Sequence, residues 1–124
     1  MAKIGEIITR VDEMRPNAFS EEQKLRWIAS LDGRIAADVM LMSIEDIRDL
    51  QYRYPEDLES EPLVTFPHDD MYDMWLAAQI DLTNGEFDRY QNDMLMYNEY
   101  YDNFVLWFIS TYEPGQGYRR RELE

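Results

Sequence analysis

The stretch FPHDDMYDMWL, residues 66 to 76, places the single histidine of the chain, His68, directly before Asp69 and Asp70, with Asp73 one turn further on. An imidazole beside carboxylates can hold a divalent cation or relay a proton. The same residues also have an architectural use. Pro67 ends an extended run, Asp69 or Asp70 stands where the N-cap of a following helix belongs, and Asp73 falls in the first turn, beside the positive end of the helix dipole. Capping accounts for all three carboxylates and leaves one unaccompanied imidazole, so the spacing favours architecture over chemistry.

The rest of the chain offers no better constellation. It contains no glycine-rich phosphate loop, G-x-S-x-G, H-E-x-x-H or calcium-loop spacing. With no cysteine, thiol nucleophiles, zinc-thiolate sites and disulfides are excluded together. Carboxylate pairs such as Glu45 and Asp46, or Glu56 and Asp57, are too abundant for any one to be informative. The expectation is a protein that is not an enzyme, with no catalytic residues, cofactor or metal. An enzymatic reading survives only as an ion held by His68 with Asp69 or Asp70.

The elements that must carry these residues read as helices. Ile4, Ile7, Ile8, Val11 and Met14 follow one helical face, which Pro16 terminates. Ser20 with Gln23 forms a capping box at the start of a second helix, whose stripe is Leu25, Ile28, Leu31, Ile35 and Val39, broadened by Trp27 and Ala36. Gly33 inside that run, costing about 1 kcal/mol against alanine, implies either a close neighbouring backbone or a weakened helix. Ser43 caps two further turns over SIEDIRDL, and then regularity dissolves among Pro55, Pro62 and Pro67. This acidic segment, within an arm spanning 43–68, reads as an excursion from the domain. Its short extended run, Leu63, Val64, Thr65 and Phe66, is too apolar for water and should dock on a partner or on the chain's own helices.

A third helix buries Met71, Met74, Trp75, Ala78 and Leu82, widened by Leu76 and Ile80, and stops at Thr83, Asn84 and Gly85. The fourth follows at once, making an αα-hairpin. Phe87, Tyr90, Met94, Tyr97, Tyr101, Phe104 and Phe108 recur at alternating spacings of three and four, the seam of left-handed helix packing. From Glu86 to Tyr112 this helix is about 40 Å long, more than the third can cover. A second stripe of Leu95, Val105, Ile109 and Tyr112, with Trp107 beside it, leaves the C-terminal half apolar nearly all round. Either the first two helices wrap that end or another subunit does. The fold expected is therefore all-α, a small bundle of about four main helices in one domain over 1–113, with a flexible tail over 114–124.

Composition narrows the partners. The 124 residues carry a formal charge of −14, distributed as −1 over 1–42, −8 over 43–73, −6 over 74–113 and +1 over 114–124. An apolar fraction of 45% with nine Tyr, five Phe and three Trp excludes a disordered acidic chain. Duplex DNA, at one charge per about 1.7 Å of axis, would be repelled by most of this surface. No apolar run reaches the roughly 20 residues of a membrane span, and MAKIGEIITR lacks secretory-signal features, so a cytosolic, membrane-free protein is expected.

Residues 10–39, RVDEMRPNAFSEEQKLRWIASLDGRIAADV, and residues 61–108, with their P-H-D-D-x-Y-D helix entry, N-G-E hairpin turn and Tyr/Asn/Phe-rich last helix, resemble small tailed-bacteriophage and prophage head-tail connector proteins. The resemblance implies a helical adaptor, or head-completion, subunit of the virion, made in the bacterial cytoplasm. Such subunits form a homo-oligomeric ring beneath the portal protein and receive the tail or a stopper protein. DNA would pass only through the lumen, where negative walls let it slide. The interface candidates are Leu63, Val64, Thr65 and Phe66 of the arm, Tyr90, Tyr97, Tyr101 and Phe108 of the last helix, and the tail arginines Arg119, Arg120 and Arg121. A second reading from another class is a soluble acidic binding module, such as a DNA mimic occupying a basic cleft of a host protein.

Overall fold

A computed structural model describes residues 2–111, and the arginines Arg119 to Arg121 lie outside the described residues. The elements are α1 (Ile4–Met14), α2 (Glu21–Asp38), the short α3 (Ile44–Arg48), a 3-10 turn at Glu56–Glu59, α4 (Met71–Thr83) and α5 (Phe87–Thr111). The fold is all-helical, and there is no strand among the described residues.

Local chemistry sets the helix limits. At α1 the Lys3 amide donates to the Glu6 carboxylate at 3.1 Å, and the helix ends at Met14 ahead of Pro16. At α2 the Gln23 amide donates to Ser20 Oγ at 3.1 Å, one limb of the expected capping box. Ser43 caps α3 through the Asp46 amide. The hairpin turn is a Schellman motif: Gly85 adopts φ +75° while the Glu86 amide reaches the Asp81 carbonyl and the Gly85 amide the Leu82 carbonyl.

The helix buried on nearly all sides is α4. Met71, Tyr72, Trp75, Leu76, Ala77, Ala78 and Ile80 are all buried, against Ile4, Ile7, Ile8 and Val11 of α1, Leu25, Ile28, Leu31 and Ile35 of α2, and the seam of α5. Ring contacts between Trp75 and Tyr97 and between His68 and Phe104 mark the antiparallel run of α5 along α4. With 25 residues against 13, α5 is roughly 37 Å long beside roughly 20 Å, and it packs almost wholly on α4. Helices α1 and α2 therefore do not sheathe α5, because α4 already occupies the groove they form.

Several expectations are corrected. Gly33 has open space where a Cβ would sit; the glycine against a neighbouring backbone is Gly5, whose Cβ would lie 3.1 Å from the Leu58 carbonyl oxygen. Leu82 faces solvent. Residues 63–66 form no strand, since the chain bends at Leu63 and Val64. The acidic segment is no free excursion: Tyr52, Leu58, Leu63 and Val64 pack on the core, and the Ile4 amide donates to the Ser60 carbonyl at 2.9 Å. Its apolar residues are spaced irregularly because they plug gaps between helices instead of lining one face.

Candidate functional site

The opening stretch enters α4 without a side-chain cap. Asp70 is helical in backbone and its carboxylate caps nothing; instead the amides of Met71, Tyr72 and Asp73 donate to the carbonyls of His68, Asp69 and Asp70, a tight 3-10 entry that consumes the free donors. Asp73 crosses to α1 and takes both arms of Arg10, at 2.8 and 2.6 Å. His68 lies against Trp107, with ring centroids 4.9 Å apart, and against Phe104 at 5.9 Å. It works as an aromatic wedge between the arm and α5. Among the described residues no three His, Asp or Glu side chains converge as a metal site.

Two buried carboxylate centres hold the arm and hairpin in place. Asp32, fully buried on α2, accepts from Tyr52 Oη and Tyr72 Oη at 2.5 Å each and from the Leu63 amide at 3.0 Å. Tyr72 Oη in turn accepts from the Val64 amide at 2.9 Å. Burial pushes the Asp32 carboxyl upward, against the lowering effect of its three donors, and burial beside Asp32 pushes the Tyr72 phenol well up. Asp81 and Asp93 form the second centre, with Arg15 bonded to both. Nearby, buried Lys24 donates to Asp12 at 2.7 Å, joining α2 to α1.

Burial divides the interface candidates. Val64, Tyr97 and Phe108 are buried in their own chain and are corrected as partner surface. Leu63, Thr65, Tyr90 and Tyr101 are half-buried. Phe66 is the most exposed large apolar side chain among the described residues, at 76%. The arm thus turns Val64 inward and Phe66 outward.

The open surface of α5 lies opposite the predicted seam. Leu95 and Leu106, 70% and 69% exposed, and Ile109 follow one line along the helix, with Trp107 at its edge. Towards the N-terminal end, Tyr90, Gln91, Met94, Leu95 and Asn98 border a shallow depression of 390 Å³. By helical spacing Asp88, Glu99 and Asp102, all exposed, share this line, Glu99 and Asp102 falling between Leu95 and Leu106. Leu106 lies on the line of Leu95 and Ile109, three residues before Ile109, and that spacing was the signal that could have added it to the second stripe. Asp32, Asp81 and Asp93 had a readable signal, each being a carboxylate within an apolar helical face, but their partners lie on other elements, the furthest 78 residues away.

Comparison with known protein families, with curated proteins and with solved structures finds no match to this chain. Among the described residues no helix is long and apolar enough to cross a membrane.

Proposed function

We propose that the chain is a structural virion subunit, a head-tail connector of a tailed bacteriophage or prophage, assembling as a ring beneath the portal and receiving the tail or a stopper protein. The observation that carries this reading is the face of α5 bearing Leu95, Leu106 and Ile109, which is turned to solvent while the opposite face rests on α4. Leu106 and Ile109 adjoin on that face while Leu95 lies beyond Glu99 and Asp102, and large apolar side chains left exposed beside charged ones suit a protein interface. Two further features support the proposal. The sequence resemblance runs through the P-H-D-D-x-Y-D entry, the N-G-E turn and the last helix. The net charge of −14 suits a channel wall along which DNA slides by like-charge repulsion.

The test is electron microscopy of the purified protein mixed with portal-containing heads. A ring of added density at the portal is the expected result. Absence of binding, together with normal tail joining when the gene is deleted, rejects the proposal.

A further inference from the structure

A cleft of 490 Å³ lies between α2 and the segment that follows α3. Its walls are Leu25 and Ala29 from α2 and Ile47, Leu50 and Tyr52 opposite, and Arg26 and Arg48 line it from the two sides. In a chain where acidic residues outnumber basic ones 26 to 12, an arginine without a carboxylate is a notable exception. Lys3, Arg10, Arg15, Lys24 and Arg53 are all paired, and Arg34 rests over the Trp75 ring. Exposed Arg26, Arg48 and Arg89 pair with no carboxylate among the described residues, and two of the three face this one cleft. Glu22 also lines it, and neither guanidinium bonds to it.

The complement of that cleft lies on the same chain. Phe66 projects from the bend after Val64, and Glu61, Asp69 and Asp70, close to it in sequence, carry no ion pair among the described residues. An exposed ring with Asp69 and Asp70 three and four residues beyond it in sequence matches an apolar cleft lined by two guanidiniums. A phenyl ring fits an apolar cleft and stacks favourably on a guanidinium, and carboxylates satisfy guanidiniums with charge-assisted bonds. We infer that the α2–α3 cleft receives Phe66 of a second copy of this chain, with Arg26 and Arg48 facing the neighbour's carboxylates. Because knob and cleft are different surfaces, the contact is head-to-tail, the kind that generates rings when the rotation closes. The inference rests on the connector reading and names a lateral contact for it. It is independent of the α5 face, which remains free for the portal or tail side.

Complementary variants of the full chain test it by sedimentation. Phe66→Ala removes the knob, and Arg26→Glu with Arg48→Glu reverses the cleft. All three positions are exposed, and unchanged melting of each variant verifies the fold. Wild type is expected to self-associate at millimolar concentration, and each variant alone to weaken association roughly tenfold or more, as loss of an aromatic or arginine anchor does. An equimolar mixture of the two variants then forms a dimer that grows no further, since one intact knob and one intact cleft remain. A monomeric wild type, or a mixture that does not pair, overturns the inference. If the mixture stays monomeric while wild type still binds portal-bearing heads, the cleft contact fails and the connector reading stands. If the dimer forms and heads are never bound, the contact stands and the connector reading fails.

Discussion

Asp81 on α4 and Asp93 on α5 are buried side by side across the hairpin and share one cation, Arg15 at the end of α1. Burial, then hydrogen bonding to Asp81, pushes the Asp93 carboxyl up to about 7, with Arg15 opposing. The pair therefore holds a proton in the fold that the unfolded chain releases near its ordinary value of 3.8. A carboxyl raised in this way contributes stability in full below the unfolded value, and the contribution fades as pH rises through about 7. Urea unfolding between pH 5 and 8 should show stability falling with pH, by at most about 1.4 kcal/mol per unit for one proton. Asp93→Asn should flatten that slope. A slope unchanged by the substitution would remove the proton from this site.

Asp32 is the anchor of the arm. Asp32→Ala strands two phenols and the Leu63 amide without their acceptor, and is expected to cost about 3–5 kcal/mol, as breaking a buried charged network does. Tyr72→Phe leaves the Val64 amide unpaired and should cost about 1–3 kcal/mol. Chemical denaturation reads both losses. Hydrogen exchange should show the Leu63 and Val64 amides losing protection first.

Glycine substitutions separate space from its absence. Gly33→Ala fills open space inside α2 and should stabilise by about 1 kcal/mol. Gly5→Ala gains the same helix propensity but meets the Leu58 carbonyl oxygen at 3.1 Å, so its melting temperature should fall below that of Gly33→Ala.

Leu41 takes φ +52° where the chain turns back after α2, and its side chain is exposed. A left-handed residue with a Cβ costs roughly 1–2 kcal/mol. Leu41→Gly should therefore raise the melting temperature, despite the greater freedom of glycine in the unfolded chain.

The α5 face is open to the same test. Leu106→Glu with Ile109→Glu changes exposed residues and should alter stability by no more than about 0.5 kcal/mol per site. Binding to portal-bearing heads should nevertheless be lost. Retained binding would detach the connector proposal from this helix.

Most of the helical frame was legible along the chain. Pro16, Ser20, Ser43 and Gly85 mark helix ends because capping and left-handed turns depend on neighbours three to five residues away. The three-four spacing of Tyr97, Phe104 and Phe108 identified the buried seam of α5 for the same local reason. The Asp69 and Asp70 cap failed where backbone carbonyls supplied the same bonds, a choice made by the path of the arm.

The amino-acid sequence by itself determined that this is an acidic, all-helical protein with a C-terminal hairpin, since periodicity and end signals act within a turn or two. Only the tertiary structure decided that α4 and not α5 is the central helix, because both are broadly apolar and burial depends on which groove α1 and α2 form. It likewise decided the partners of Asp32, Asp81 and Asp93, and turned Val64 in and Phe66 out. A carboxylate's partner is set by packing between distant segments, and no local spacing encodes it.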